Sequence, residues 1–129
     1  MHTQASTDRL VLIVEDEPSI REVIRDVVED RGYRVASAAN GAEALRMLEY
    51  ERPAVMVIDL LMPVMHGWDF MESYAEKTGG QPIPIVVVSV NPALPRSFGR
   101  LGVRHVVSKP FAVDELVDAI EDAMHTVAA

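Results

Sequence analysis

Residues 10–18 read LVLIVEDEP, a short apolar run that meets three acidic residues and a proline. An unbroken run of Val, Ile and Leu is typical of a strand buried on both faces of a parallel sheet. Pro18 suits the first turn of a helix, and Gly32 suits the left-handed residue that ends one. Between them, apolar residues recur at helical spacing at Ile20, Val23, Ile24, Val27 and Val28. The stretch therefore predicts a buried strand, an acidic turn and an amphipathic helix.

The same alternation of strand and helix continues through the rest of the chain. Four further apolar runs predict strands, at residues 33–38, 55–58, 83–90 and 103–107. Helical patterns follow them: one begins at Asn40 with capping-box spacing to Glu43, one spans about 67–77, and the last carries Val113, Leu116, Val117, Ile120 and Met124. The chain is therefore predicted to be an α/β, doubly wound domain with right-handed crossovers.

The connection between the fourth and fifth predicted strands departs from this regular pattern. Residues 91–102 contain two prolines and two glycines. Both residue types disfavour a helix interior, so the fourth helix is predicted to be short or irregular, with a start near Pro95.

Length, charge and composition narrow the function classes. A chain of 129 residues fits a single domain, since domains average roughly 150 residues. The net charge of -8 disfavours binding to nucleic acid or to an anionic membrane surface, and the apolar runs are far too short to span a bilayer. The chain contains no cysteine, which removes disulfides and thiol chemistry. Residues 1–8 are polar and lack a secretion pattern, so they predict a flexible tail on a cytoplasmic protein.

Polar residues stand where the predicted strands end. Residues 15–17 are Glu-Asp-Glu after the first strand, Asp59 follows the third, Ser89 ends the fourth, and Ser108 and Lys109 follow the fifth. Each alone has an ordinary interpretation as a solvated turn or a capping residue. Parallel strands, however, bring their carboxyl ends to one edge of the sheet, where ligands bind. Three or more carboxylates meeting there need a cation, and oxygen ligands favour a hard ion such as Mg²⁺.

Four stretches resemble the receiver domain of bacterial two-component response regulators, and the likeness extends over residues 9–125. They are LIVEDEP at 12–18, VIDLLMPVMHG at 57–67, VVVS at 86–89 and VVSKPF at 106–111. The resemblance implies a flavodoxin-like five-stranded parallel sheet of order 2-1-3-4-5 with helices on both faces. It also implies that residues 9–129 form the receiver domain and that residues 1–8 lie outside it.

The resemblance further implies roles for individual residues. Asp59 matches the phosphoacceptor, Ser89 the hydroxyl that senses the phosphoryl group, and Lys109 the ammonium that pairs with the phosphoryl group. In this family the peptide bond from that lysine to Pro110 is typically cis. Mg²⁺ is expected to bind to the carboxylates of Glu15, Asp16 and Asp59 and to the backbone carbonyl of Leu61. Pro63 and Gly67 match the loop beside the phosphoacceptor.

Several positions depart from the family pattern. Glu15 stands where Asp is more common, which leaves open a contact with the metal through water. Leu61 cannot hydrogen-bond an attacking water, and His66 occupies a loop position that is usually acidic. Val106 replaces the aromatic residue that swings inward on activation, and its β-branched side chain is stiff. These departures affect phosphate lifetime and the usual output surface.

The leading functional hypothesis is a stand-alone phosphorylation switch without an attached output domain. Its expected partners are a sensor histidine kinase or a histidine phosphotransfer protein, and a downstream protein that the sequence does not identify. The chain is expected to be a monomer or weak dimer. It is expected to be a phosphoacceptor and not an enzyme. The alternative is a phosphorylation-independent pseudo-receiver, an interaction module. A phosphatase of the haloacid dehalogenase type is disfavoured because it needs a second Asp at the position of Leu61. A flavodoxin-like cofactor carrier is disfavoured because its phosphate site needs backbone N–H groups in place of carboxylates.

Overall fold

Five strands form a single parallel sheet. They are β1 Leu10–Val14, β2 Arg34–Ala38, β3 Val55–Asp59, β4 Ile85–Ser89 and β5 Val103–Ser108, in the order β2-β1-β3-β4-β5. The computed structural model describes residues 9–59, 83–90 and 102–125, together with Phe70, Ser73 and Tyr74. The strand order confirms the expectation from the family resemblance.

The strand boundaries differ from the predicted ones by one or two residues. The fourth strand begins at Ile85 and not at Ile83, because Pro84 has no N–H to donate to the ladder. The Ile85 N–H instead donates to the Gly102 carbonyl, 2.8 Å away, where pairing with β5 begins. The third and fifth strands each extend one residue beyond the apolar run, to Asp59 and Ser108. These two polar residues therefore belong to the sheet itself.

Three helices are described over continuous ranges: α1 Pro18–Asp30, α2 Gly41–Met47 and α3 Val113–His125. Pro18 occupies the first turn of α1, and Gly32 has a φ of 94° just beyond its end, as predicted. The Asn40 Oδ1 accepts the Glu43 N–H at 2.9 Å. In a standard capping box the Glu43 carboxylate would accept the N–H of Asn40, the N-cap residue. Here it accepts the N–H of the preceding residue, Ala39, at 2.8 Å.

Some sequence predictions lie outside the described residues. Phe70, Ser73 and Tyr74 are helical, in agreement with the predicted helix at 67–77, but the rest of that segment is not described. The predicted flexible tail at 1–8 and the short fourth helix within 91–101 are likewise outside the description. None of the helices in the described residues is long and apolar enough to cross a membrane.

Alternate residues of the strands pack into two apolar clusters, one on each face of the sheet. On one face, residues such as Val11, Ile13 and Val57 contact α1 and α3 through Ile24, Val28, Leu116 and Ile120. On the other, Leu12, Val14 and Ile58 contact Ala44 of α2, Phe70 and Tyr74. Each fully buried aliphatic side chain contributes about 1.5–3 kcal/mol, so the two clusters stabilise the sheet from both faces.

Candidate functional site

The carboxyl edge of the central strands gathers three carboxylates and one ammonium. Glu15 directly follows β1, and Asp59 ends β3. One carboxylate oxygen from each of Glu15, Asp16 and Asp59 lies within 4.8 Å of the other two. Lys109 follows β5 and reaches across to the same place. We refer to Glu15, Asp16, Asp59 and Lys109 as the acidic edge. Four of the polar residues predicted at the strand ends thus meet at one point.

Backbone pairing places these residues. The Glu15 N–H donates to the Ala38 carbonyl at 3.0 Å, which continues the β1–β2 ladder past Val14. The Lys109 N–H donates to the Ser89 carbonyl at 2.9 Å, which continues the β4–β5 ladder. Asp59 itself pairs with Val88 in the ladder between β3 and β4. The positions of all three side chains are therefore set by the sheet.

Lys109 forms ion pairs with two buried carboxylates. Its Nζ lies 3.1 Å from Glu15 Oε1 and 3.2 Å from Asp59 Oδ2. Glu15 is 2% exposed and Asp59 6% exposed, whereas Asp16 is accessible to solvent. The second Glu15 oxygen, Oε2, accepts the Glu17 N–H at 3.1 Å. Both carboxylate oxygens of Glu15 are thus already engaged within the protein.

Burial and mutual repulsion perturb the titration of this cluster. Burial raises the pKa of Glu15 to about 7, with Asp59 adding to the rise, while the Glu17 N–H and the Lys109 ammonium oppose it. Burial acts against the charge of Lys109, but Glu15 and Asp59 outweigh it and raise the pKa of this ammonium. Lys109 therefore stays charged at neutral pH and is shared between carboxylates that it does not fully neutralise.

The residues of the acidic edge fit a divalent metal ion. With all groups ionised, three carboxylates against one ammonium leave two excess negative charges at a partly buried position. All the candidate ligand atoms are oxygens, the donor type that Mg²⁺ prefers. Asp16 and Asp59 offer oxygens to such an ion, and the predicted fourth ligand, the carbonyl of Leu61, lies outside the described residues.

The remaining predicted positions differ in their relation to the acidic edge. Ser89 is 2% exposed at the end of β4, one residue beyond the ladder partner of Asp59. Ser108 is exposed, and Val106 is 38% exposed on β5. The peptide bond between Lys109 and Pro110 is cis, as the resemblance implies. Pro63, His66 and Gly67 lie outside the described residues.

Sequence reasoning missed Arg21, which contacts the acidic turn. Its Nη1 donates to the Glu15 carbonyl oxygen at 2.8 Å. A contact between a side chain and a backbone carbonyl leaves no motif in the sequence. The available signal was a basic residue near the start of α1, where the helix dipole disfavours positive charge.

Comparisons with known proteins match this architecture. Residues 11–121 match the family model described as the response regulator receiver domain. The chain is 35% identical over 109 residues to response regulator Rre1 of Synechocystis sp. (strain ATCC 27184 / PCC 6803 / Kazusa), an alignment that covers 82% of this chain and 47% of Rre1. It is 44% identical over 85 residues to protein-glutamate methylesterase/protein-glutamine glutaminase 3 of Hahella chejuensis (strain KCTC 2396), covering 65% of this chain and 24% of that protein. The chain therefore spans less than half the length of these two relatives.

A solved structure extends the comparison to three dimensions. The chemotaxis response regulator CheY4 of Vibrio cholerae superimposes with a TM-score of 0.80 and 28% sequence identity, covering 90% of this chain and 98% of CheY4. The sheet order, the acidic edge and the family match over residues 11–121 agree with one another. This chain belongs to the response regulator receiver domain family of two-component systems.

Proposed function

We propose that the protein is a phosphorylation switch in which Asp59 accepts a phosphoryl group from a phosphohistidine. The donor is a sensor histidine kinase or a histidine phosphotransfer protein, and the output is contact with another protein. The observation that supports this most is the Asp59 carboxylate itself, 6% exposed beside two acidic residues and 3.2 Å from the Lys109 ammonium. A carboxylate that must approach a phosphoryl anion needs such positive charge nearby.

The proposed step transfers the phosphoryl group from the phosphohistidine nitrogen to an Asp59 oxygen. An Asp59 carboxylate oxygen forms a bond to phosphorus while the N–P bond of the phosphohistidine breaks, and the imidazole nitrogen keeps the electron pair. Mg²⁺, when bound, supplies positive charge that offsets the phosphoryl oxygens and the carboxylates. The protein's own part is to hold Asp59 at the end of β3 and to present Lys109 to the incoming anion.

Asp16 and Asp59 are the side chains that we propose as direct Mg²⁺ ligands, with the Leu61 carbonyl. Glu15 keeps one oxygen on Lys109 and the other on the Glu17 N–H, so we propose that it contacts the metal through water. Asp16 is accessible to solvent and can present an oxygen to a small ion that needs near-octahedral geometry, and an Asp59 oxygen lies within 4.8 Å of it.

Phosphorylation changes the charge that Lys109 and Ser89 face. The aspartyl phosphate dianion carries more charge than the carboxylate it replaces and is proposed to draw both groups toward it. Because the Lys109 N–H is bonded to the Ser89 carbonyl, a shift of either one affects the ends of both β4 and β5. The signal is thus proposed to leave through these two strand ends and the segments that follow them.

We propose that residues 9–129 form the receiver domain and that the protein acts as a phosphoacceptor. Its proposed location is the cytoplasm, where histidine kinases phosphorylate their partners. The methylesterase activity named for one relative belongs to a protein of which only 24% aligns with this chain. We therefore assign no esterase chemistry to the acidic edge.

Incubation with acetyl phosphate and Mg²⁺, followed by intact-protein mass spectrometry, tests the proposal. The wild type is expected to gain the mass of one phosphoryl group, and Asp59→Asn is expected to gain none. Asp26→Asn is the matched control, because Asp26 is an exposed aspartate on α1. An unchanged wild-type mass would favour the phosphorylation-independent interaction module instead.

A further inference from the structure

Arg21 lies in the first turn of α1 and reaches back to the residue that follows β1. Its backbone N–H donates to the Glu17 carbonyl at 2.9 Å, as part of the helix. Its side-chain Nη1 donates to the Glu15 carbonyl at 2.8 Å. Helical side chains point toward the helix N-terminus, so this position lets a long side chain return to the preceding turn.

Two electrostatic effects act on this arginine in opposite directions. The N-terminal end of a helix carries partial positive charge, which disfavours a cation there. The first turn of α1 contains no acidic residue, but the acidic residues at 15–17 directly precede it and attract the guanidinium. Within the described residues, the hydrogen bond of Arg21 goes to a carbonyl oxygen and not to one of the nearby carboxylates. Such a contact orients the backbone and leaves the carboxylates free of a competing guanidinium.

The carbonyl that Arg21 holds belongs to the peptide unit leading to Asp16. This unit is planar, so fixing its oxygen also fixes the direction in which the chain continues to the Asp16 Cα. On the other side of Glu15, the N–H is held by the Ala38 carbonyl at 3.0 Å. The Glu15 backbone is therefore anchored on one side by β2 and on the other by Arg21.

The geometry points to Arg21 as a positioning residue for the metal site: its guanidinium orients the Glu15–Asp16 peptide and thereby places the Asp16 carboxylate beside Asp59. The inference rests on the proposed function in that Mg²⁺ is the ion held at the acidic edge. Residues that orient metal ligands commonly change affinity by about 10- to 100-fold when they are removed. Arg21 thus contributes to the site without contacting the ion.

Charge and positioning predict opposite effects of removing Arg21. A guanidinium near the acidic edge repels a cation, so loss of its charge alone would strengthen Mg²⁺ binding. Loss of the hydrogen bond releases the Glu15–Asp16 peptide and would weaken binding. The sign of the change in affinity therefore separates a positioning role from a purely electrostatic one.

Mg²⁺ titration by calorimetry on the unphosphorylated full chain tests the inference with three variants. Arg21→Met is expected to raise the dissociation constant about tenfold. Arg21→Lys keeps the charge and one donor, and is expected to recover most of the loss. Arg25→Met is the matched control, because Arg25 lies one turn further along α1 and donates to a carbonyl away from the acidic edge, that of Val35, at 3.5 Å. Its dissociation constant is expected to equal that of the wild type.

Unchanged or tighter binding by Arg21→Met would overturn the inference, and so would the absence of Mg²⁺ binding in the wild type. Thermal unfolding in EDTA identifies variants that are not folded at the titration temperature. If Arg21→Met is among them, Arg21→Gln replaces it: weaker binding than wild type supports positioning, and equal or tighter binding contradicts it. Acetyl phosphate labelling of the wild type decides the proposed function separately, since a positive Mg²⁺ series without labelling would retain the Arg21 role and reject the phosphoacceptor.

Discussion

Charged side chains at the acidic edge differ from those on the outer surface of the helices. At the edge, the side chains of Lys109, Glu15 and Asp59 are 15%, 2% and 7% exposed. On the helix surfaces, Arg25 pairs with Glu29 at 43% and 50% exposure, and Arg31 pairs with Glu121 at 42% and 30%. Solvent screens the surface pairs, so each contributes little to stability.

The buried cluster is of a different kind because its charges do not cancel. Two of its carboxylates share one ammonium, and burial raises the pKa of Glu15 to about 7. Apolar residues in the same place would stabilise a fold at least as well. We therefore assign the unbalanced charge of the acidic edge to its proposed function, whereas the balanced surface pairs interact mainly with solvent.

The largest effect is expected from Lys109→Met. Removing the ammonium leaves Glu15 and Asp59 without their shared partner, and breaking a buried ion pair lowers the free energy of unfolding by about 3 kcal/mol. The loss is expected at about pH 8 and shrinks toward about pH 5, where Glu15 is protonated. Urea unfolding followed by circular dichroism in EDTA measures it. The same loss at both pH values would contradict the role assigned to the unbalanced charge.

The next effect is a pH-dependent gain in stability for Glu15→Gln. The pKa of Glu15 is raised from 4.5 in the unfolded chain to about 7 in the folded protein. The protonated carboxyl therefore favours the folded state below pH 4.5, and this stabilisation is lost as the pH rises through about 7. The variant stays neutral and is expected to exceed the wild type by about 2 kcal/mol near pH 8 in EDTA, allowing for solvent screening, with little difference near pH 5.

Urea unfolding of both proteins at these pH values and with added Mg²⁺ checks the expectation. Bound Mg²⁺ stabilises the ionised wild type and should narrow the difference at the higher pH. A difference that is independent of pH would show that Glu15 does not carry the excess charge of the acidic edge.

A smaller effect distinguishes the two adjacent acidic residues. Asp16→Ala is expected to weaken Mg²⁺ binding about tenfold, since it removes a direct ligand. Glu15→Gln is expected to weaken it less, because both Glu15 oxygens are engaged by Lys109 and the Glu17 N–H. Glu17→Gln, at an exposed position, controls for the loss of charge. Calorimetric titration compares the three, and equal losses for Asp16→Ala and Glu15→Gln would reject the distinction.

The smallest effect is expected on the helix surface. Arg25→Ala removes an i,i+4 pair with Glu29 and is expected to change the free energy of unfolding by less than about 0.5 kcal/mol, with no step near pH 7. Urea unfolding at low and high salt measures it. A loss comparable to that of Lys109→Met would mean that exposure does not separate the two regions.

Much of the fold was predictable because its signals are local. Apolar runs located all five strands, and Pro18, Gly32 and the Asn40–Glu43 spacing located helix ends. The errors were also local: the apolar run at 83–90 extends beyond the strand because Pro84 has no N–H to donate, and the Glu43 carboxylate accepts the Ala39 N–H.

The candidate site was predictable in composition but not in all its contacts. Residue types at the strand ends indicated Glu15, Asp16, Asp59 and Lys109, and the structure brings them together. The contacts of Arg21 with the Glu15 carbonyl and of the Glu17 N–H with the Glu15 carboxylate were not predicted. Both involve backbone atoms, which every residue has, so no residue pattern marks them.

The sequence by itself determined the order of strands and helices, the residue types at each strand end and the family. Only the tertiary structure decided that Lys109 meets Asp59, 50 residues earlier in the chain, and divides its charge between Asp59 and Glu15. It also decided that Glu15 is buried deeply enough to raise its pKa to about 7. The physical reason is that local conformation depends on neighbouring residues, whereas desolvation and Coulomb interaction depend on distances between strands that only the assembled sheet defines.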